Sequence, residues 1–142
     1  MLFGEFKHAV DAKNRLFIPA KFREQLGESF IVIRSTWEDE HILSVYSQAE
    51  WADIEARLAA QSRAKTRDIK RFWGRNGIEV SPDSQGRILL TQALIDYSGL
   101  GKSAVIIGCT SHAEIWAEDA YERMTAAEDA AAFEQQLLDM DV

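Results

Sequence analysis

"DAKNRLFIP" at residues 11–19 and "DSQGRILLT" at residues 83–91 are one pattern written twice, 72 positions apart. Each copy carries an aspartate first (Asp11, Asp83), Asn14 or Gly86 fourth, an arginine fifth (Arg15, Arg87) and aliphatic residues sixth and eighth. Asparagine and glycine visit positive φ most cheaply, so the fourth position reads as the corner of a tight turn. The alternating aliphatics that follow read as a strand leaving it. Asp11 and Asp83 are placed to accept hydrogen bonds from backbone N–H groups within the turn and so to fix its shape. Spacing alone leaves two readings of Arg15 and Arg87. Each is either the partner of its own aspartate, bracing the hairpin, or a side chain presented to a ligand.

Outward from the turns, the two halves keep the same order of elements. "EFKHAV" leads into the first turn, and "PAKFREQLG" puts Phe22 and Leu26 four apart on one helical face, with Pro19 suited to the first turn and Gly27 to the C-terminal cap. "SFIVIRS" and "HILSVYS" then read as strands. In the second half "GIEV", "RILL" and "AVIIGCT" repeat the strands, and "TQALIDYSGLG" repeats the short helix with Thr91 as its N-cap and Gly99 as its stop. Trp116 and Tyr121 fall where Tyr46 and Trp51 fell, and Ser47 with Glu50 forms a capping box for the helix bearing Trp51, Ile54 and Leu58. The class is α+β, with two hairpin and short-helix units at residues 5–47 and 76–119. Linking helices occupy 48–75, and an acidic helix or tail occupies 120–142. Units this small lie near the lower limit for burying a core alone, so two are expected to complete one.

The 142 residues are 46% apolar, typical of a globular domain. No long apolar run suggests a membrane span, and no basic stretch with an apolar run opens the chain, so a cytoplasmic protein without a membrane partner is expected. The net charge of −7 is unevenly spread. Residues 114–142 hold nine acids and one base, leaving the other 113 residues at +1. Within those, 62–75 ("SRAKTRDIKRFWGR") sets six bases against Asp68, a local +5 that reads as a solvated helix face or a polyanion contact.

Little points to an enzyme. No glycine-rich phosphate loop, Gly-x-Ser-x-Gly or dinucleotide fingerprint is present. Cys109, the only cysteine, lies in an apolar run and reads as a buried inert thiol. Cys109 and His112 form an isolated Cys-x-x-His with no second pair to complete a ligand set, so neither metal nor cofactor is expected. A second class remains open: an antitoxin-like or protein-interaction barrel whose acidic C-terminal segment, with Phe133, Leu137 and Leu138 at helical spacing, packs on a partner or a second copy.

The doubled turn, with the "GEF" start, the "FREQL" helix and the "EIWAEDAY" ending, resembles the bacterial MraZ family of transcriptional regulators over nearly the whole chain. The resemblance implies two SpoVT-AbrB-like swapped-hairpin units forming a pseudo-twofold β barrel flanked by helices, with chains assembled into rings. It further implies a nucleoid-associated regulator, a repressor of the cell-division and cell-wall gene cluster, that binds double-stranded DNA at tandem G-rich direct repeats. The family pattern is Asp, any residue, Lys, Gly, Arg, aliphatic, any residue, aliphatic, Pro. Here Asn14 stands for the first glycine, Gln85 for the second lysine and Thr91 for the second proline. Lys13 and Arg15 therefore rank above Arg87 as DNA contacts, with Asn14 and Gln85 beside them and Asp11, Asp83 and Gly86 bracing the turns. Arginine can bond O6 and N7 of guanine together, while lysine neutralises phosphate whatever the sequence.

Overall fold

The computed structural model describes residues 1–142. Strand β1 (Glu5–Ala9), β2 (Arg15–Phe17), helix α1 (Ala20–Leu26), β3 (Phe30–Trp37) and β4 (Glu40–Ser47) are followed by α2 (Gln48–Ala59) and α3 (Arg63–Asn76). The second half repeats the order with β5 (Ile78–Val80), β6 (Arg87–Leu89), α4 (Gln92–Ser98), β7 (Ser103–Gly108), β8 (Ala113–Ala117), α5 (Glu118–Ala126) and α6 (Ala130–Asp139).

Strand pairing ties the halves together. Only the hairpins β3–β4 and β7–β8 pair within a half. Every other ladder crosses between halves: β1 lies antiparallel on β7, β5 on β3, β4 on β8 and β2 on β6. The pattern is the same read from either half, with Ser44 opposite Glu114 at the middle of one central ladder and Leu16 opposite Ile88 at the middle of the other.

The closed barrel implied by the resemblance does not form. Six strands make an open antiparallel sheet in the order β1-β7-β8-β4-β3-β5, and β2–β6 is a separate two-stranded ribbon. Each ribbon strand is three residues long and spends its ladder on the other, so the only β-bridge between the arms of the first hairpin is the isolated Val10–Leu16, just beyond β1.

The core lies between ribbon, short helices and sheet. Alternation along the ribbon sends Leu16 and Ile88 inward with no exposed surface, and Ile18 and Leu90 just beyond it are at most 1% exposed. They join Phe22 of α1, Leu94 of α4, and Phe30, Leu43, Ile106 and Ile115 of the sheet in one apolar cluster that draws on both halves. Burying such a side chain contributes about 1.5–3 kcal/mol. Helix ends follow their local chemistry. Gly27 (φ 91°) and Gly99 (φ 66°) close α1 and α4, the Ser47 hydroxyl accepts from the Glu50 N–H at 3.2 Å, and the Thr91 hydroxyl accepts from the Leu94 N–H at 3.3 Å. Pro19 stands one position before α1, at its N-cap.

Helix α3 is held on β3 through Trp73, whose indole N–H donates to the Arg34 carbonyl at 3.0 Å, while the Arg34 guanidinium lies 3.7 Å from the Phe72 ring centroid. Helix α5 is tied to the sheet by Lys7–Glu118 (2.5 Å) and by the two bonds from Arg123 to Glu40 (2.7 and 2.9 Å). Helix α6 has no fully buried residue: Leu137 is half-buried, while Phe133 is 58% and Leu138 70% exposed. No helix is long and apolar enough to cross a membrane.

Candidate nucleic-acid interface

Both turns close in the same way. The Asp11 N–H donates to the Arg15 carbonyl (3.1 Å) and the Asn14 N–H to the Asp11 carbonyl (3.0 Å); Asp83 repeats this with Arg87 (2.9 Å) and Gly86 (2.9 Å). Asn14 has φ 60° and Gly86 φ 80°, the left-handed conformation that the fourth position demands. Asp11 Oδ1 accepts from the Lys13 and Arg15 N–H groups, each at 2.9 Å, and Asp83 Oδ1 from those of Gln85 (2.9 Å) and Arg87 (3.0 Å). The second carboxylate oxygen takes the arginine Nε, at 2.7 Å in the first turn and 3.0 Å in the second. These bonds hold both carboxyls below the usual aspartate value. The largest cause is the backbone N–H of Arg15 on Asp11 and of Arg87 on Asp83, which outweighs partial desolvation.

The ribbon then sets where the arginines go. With Leu16 and Ile88 inward, Arg15, Phe17, Arg87 and Leu89 share the outer face. Arg15 is paired with Leu89 and Phe17 with Arg87, so the two guanidinium groups meet along a diagonal, and Arg87 Nη1 comes to 3.9 Å from Asp11 Oδ2. Each arginine is gripped through Nε, and the terminal amino groups of Arg15 make no hydrogen bond within the chain. A guanidinium held from behind is pre-oriented to offer its two terminal nitrogens together. Bracing and presentation are thus compatible uses of one side chain. Lys13 and Gln85 are exposed at the two turns. Asp11 against Lys13 and Arg15 leaves the first turn at +1, and Asp83 against Arg87 leaves the second neutral.

The turns differ in what surrounds the fourth residue. The Asn14 carboxamide donates to Gln92 of α4 at 3.1 Å. Over Gly86 lies the Arg23 guanidinium, which donates through Nε to the Ile18 carbonyl at 2.8 Å, and a Cβ at Gly86 would meet its Cζ at 2.7 Å. Neither Arg23 nor Gln92 belongs to the repeated motif, and no spacing rule singles them out.

The basic segment forms the outer face of α3, with Arg63, Lys65, Arg67, Lys70, Arg71 and Arg75 all exposed. Cys109 is half-buried rather than enclosed, because it follows the end of β7. Burial, with the charge of Glu114 adding, pushes its thiol up to about 12, which makes it a poor nucleophile.

The chain is thus a duplicated α+β protein whose halves pair strands with each other and whose two matched Asp–Arg turns stand on a two-stranded ribbon, and its sequence matches known proteins along its length. The family description "MraZ protein, putative antitoxin-like" matches residues 1–72 and again 75–141. The chain is 41% identical over 137 residues to the "Transcriptional regulator MraZ" of Desulforamulus reducens, covering 95% of this chain and 94% of that one. It is 40% identical over 134 residues to the protein of the same name from Acetivibrio thermocellus (93% and 92% covered), and 37% identical over 146 residues to that of Ligilactobacillus salivarius, with both chains fully covered. The chain belongs to the MraZ family.

Proposed function

We propose that this chain is a DNA-binding transcriptional regulator, a binding protein and not an enzyme, whose β2–β6 ribbon faces the DNA. The observation that carries this reading is the pair of arginines on one outer ribbon face, each gripped at Nε by its own turn aspartate. The major groove admits a two-stranded β-ribbon, and a pre-oriented guanidinium fits guanine O6 and N7. Arg15 reads guanine, Lys13 contacts phosphate, and Arg87 contributes less because Gln85 has no charge beside it. The names of the relatives support regulation of transcription.

The finer reading rests on the family. Residues 5–47 and 76–119 are its two units, and their exchanged first strands correspond to a swapped hairpin. The target is a run of G-rich direct repeats before the cell-division and cell-wall genes, bound in the cytoplasm at the nucleoid by a ring of identical chains acting as a repressor. A weakly basic ribbon on an acidic chain gains affinity when several copies engage one duplex, and cyclic symmetry suits direct repeats.

Titration of labelled direct-repeat and scrambled duplexes at two salt concentrations tests this. Arg15→Ala should abolish preference for the repeat, since one bidentate guanine contact discriminates by about 1–3 kcal/mol and the loss multiplies over subunits. Lys13→Ala should weaken binding to both duplexes alike and lower the salt slope by about one ion. Arg87→Ala should do less than Arg15→Ala. If Arg15→Ala binds as wild type but melts at lower temperature, the arginine only braces its turn and the DNA face lies elsewhere, with the α3 bases the next surface to test.

A further inference from the structure

The β7–β8 hairpin brings together three side chains that the DNA reading does not use. Cys109 directly follows β7, His112 directly precedes β8, and Glu114 is the second residue of β8. The loop between them is fixed by its own backbone. The Cys109 N–H donates to the His112 carbonyl and the Ser111 N–H to the Cys109 carbonyl, both at 2.8 Å, while Thr110 exchanges two 2.9 Å bonds with Leu2. The sulfur, one imidazole nitrogen and one carboxylate oxygen consequently lie within 4.8 Å of one another.

We propose that Cys109, His112 and Glu114 bind one zinc-class divalent ion per chain, with water in the fourth position. Thiolate, imidazole and carboxylate together are a borderline-soft donor set that suits zinc, whereas magnesium and calcium prefer shells of oxygen. Donors at bonding distance around one tetrahedral ion stand about 3–4 Å apart, so side-chain rotations closing the cluster by about 1 Å suffice. Two of the three ligands, His112 and Glu114, also have partners outside the cluster. The His112 ring stacks on Tyr46 with centroids 5.0 Å apart, its Nδ1 is 3.4 Å from the Ser111 hydroxyl, and its Nε2 is 3.7 Å from Glu114 Oε2. Glu114 Oε1 accepts from the Trp116 indole at 3.0 Å, leaving Oε2 for the ion. Such outer partners orient metal ligands and set their basicity. The first half has no equivalent group, because Ser44 occupies the place opposite Glu114 in the central ladder.

Cobalt(II) titration of the full-length chain, stripped of metal by a chelator, tests the site. The chain has one cysteine, so a thiolate-to-cobalt charge-transfer band can arise only from Cys109. The expected result is that band with tetrahedral d–d absorption, saturating at one cobalt per chain and erased by equimolar zinc. Cys109→Ser should lose the band and weaken zinc, measured in competition with a chromophoric chelator, by at least about 100-fold, since even outer-shell changes cost about 10- to 100-fold. His112→Gln keeps the thiol and should weaken zinc by at least about tenfold. It serves as the deciding variant if Cys109→Ser fails to melt cooperatively. An octahedral aqua-cobalt spectrum at excess metal, saturation at half an ion per chain, or equal zinc affinity in wild type and the folded variants would overturn the assignment.

Discussion

Asn14 and Gly86 occupy the same turn position for different reasons. Both sit at positive φ, but Asn14 uses its side chain to reach Gln92, whereas Gly86 lies beneath the Arg23 guanidinium, which a Cβ there would have to displace. Gly86→Ala should therefore destabilise the chain by about 1–3 kcal/mol, through a strained φ and displacement of Arg23 from the Ile18 carbonyl. Asn14→Gly should cost only about 0.5–1.5 kcal/mol, the value of one hydrogen bond. Urea denaturation of both variants checks the asymmetry, and equal losses would contradict it. The turn aspartates supply a pH test. Their folded-state values lie below the ordinary 3.8, so their contribution to stability is complete above pH 3.8 and is lost as pH falls through the lowered folded values. Melting temperatures of wild type and Asp83→Asn should differ at neutral pH, begin to draw together as pH falls past 3.8, and converge only below the lowered folded value. A gap that persists in acid would mean that the charge is not what holds the turn.

Among the elements, the short helices were the most legible. Phe22 and Leu26 are the buried residues of α1, and Gly27 and Gly99 close their helices, because four-residue spacing and positive-φ glycine are local signals. The replacement of the family's proline by Thr91 exchanges one start signal for another. Pro19 caps α1 with no side-chain bond, whereas the Thr91 hydroxyl accepts from Leu94. Thr91→Ala should cost about 0.5–2 kcal/mol in a thermal or urea melt, and a neutral result would mean that packing of Leu94 alone sets the start of α4. The three-residue strands β2 and β6 carry the candidate interface, and their alternation was readable. Their pairing with each other was not, since each offers equal edges to any partner.

At the scale of the whole molecule, all ladders but the two hairpins run between halves, which decides what a fragment can do. A chain ending at Gln61 keeps β3–β4 but leaves β1 without β7 and β2 without β6. It also takes Ile88 from opposite Leu16 and removes Leu90 and Leu94 from the apolar cluster that holds Ile18, Phe22 and Phe30. Residues 1–61 should dimerise or aggregate, as light scattering would show. A monodisperse monomer that melts cooperatively would show that the first unit buries its own core.

The sequence by itself determined the duplication, the two tight turns, the short helices and their caps, because each depends on φ preference, alternation or four-residue spacing within a dozen residues. It also marked Asp11, Arg15, Asp83 and Arg87 as one repeated constellation. Tertiary structure alone decided that the sheet stays open with the ribbon apart, that Arg15 and Arg87 converge on one diagonal, and that Arg23 covers Gly86. Glu114, by contrast, comes beside Cys109 and His112 through the local β7–β8 hairpin. Hydrogen-bonded edges and apolar faces carry no address in a linear chain. Which strand meets which, and which distant side chain arrives over a turn, is settled only when both halves compete for the same core.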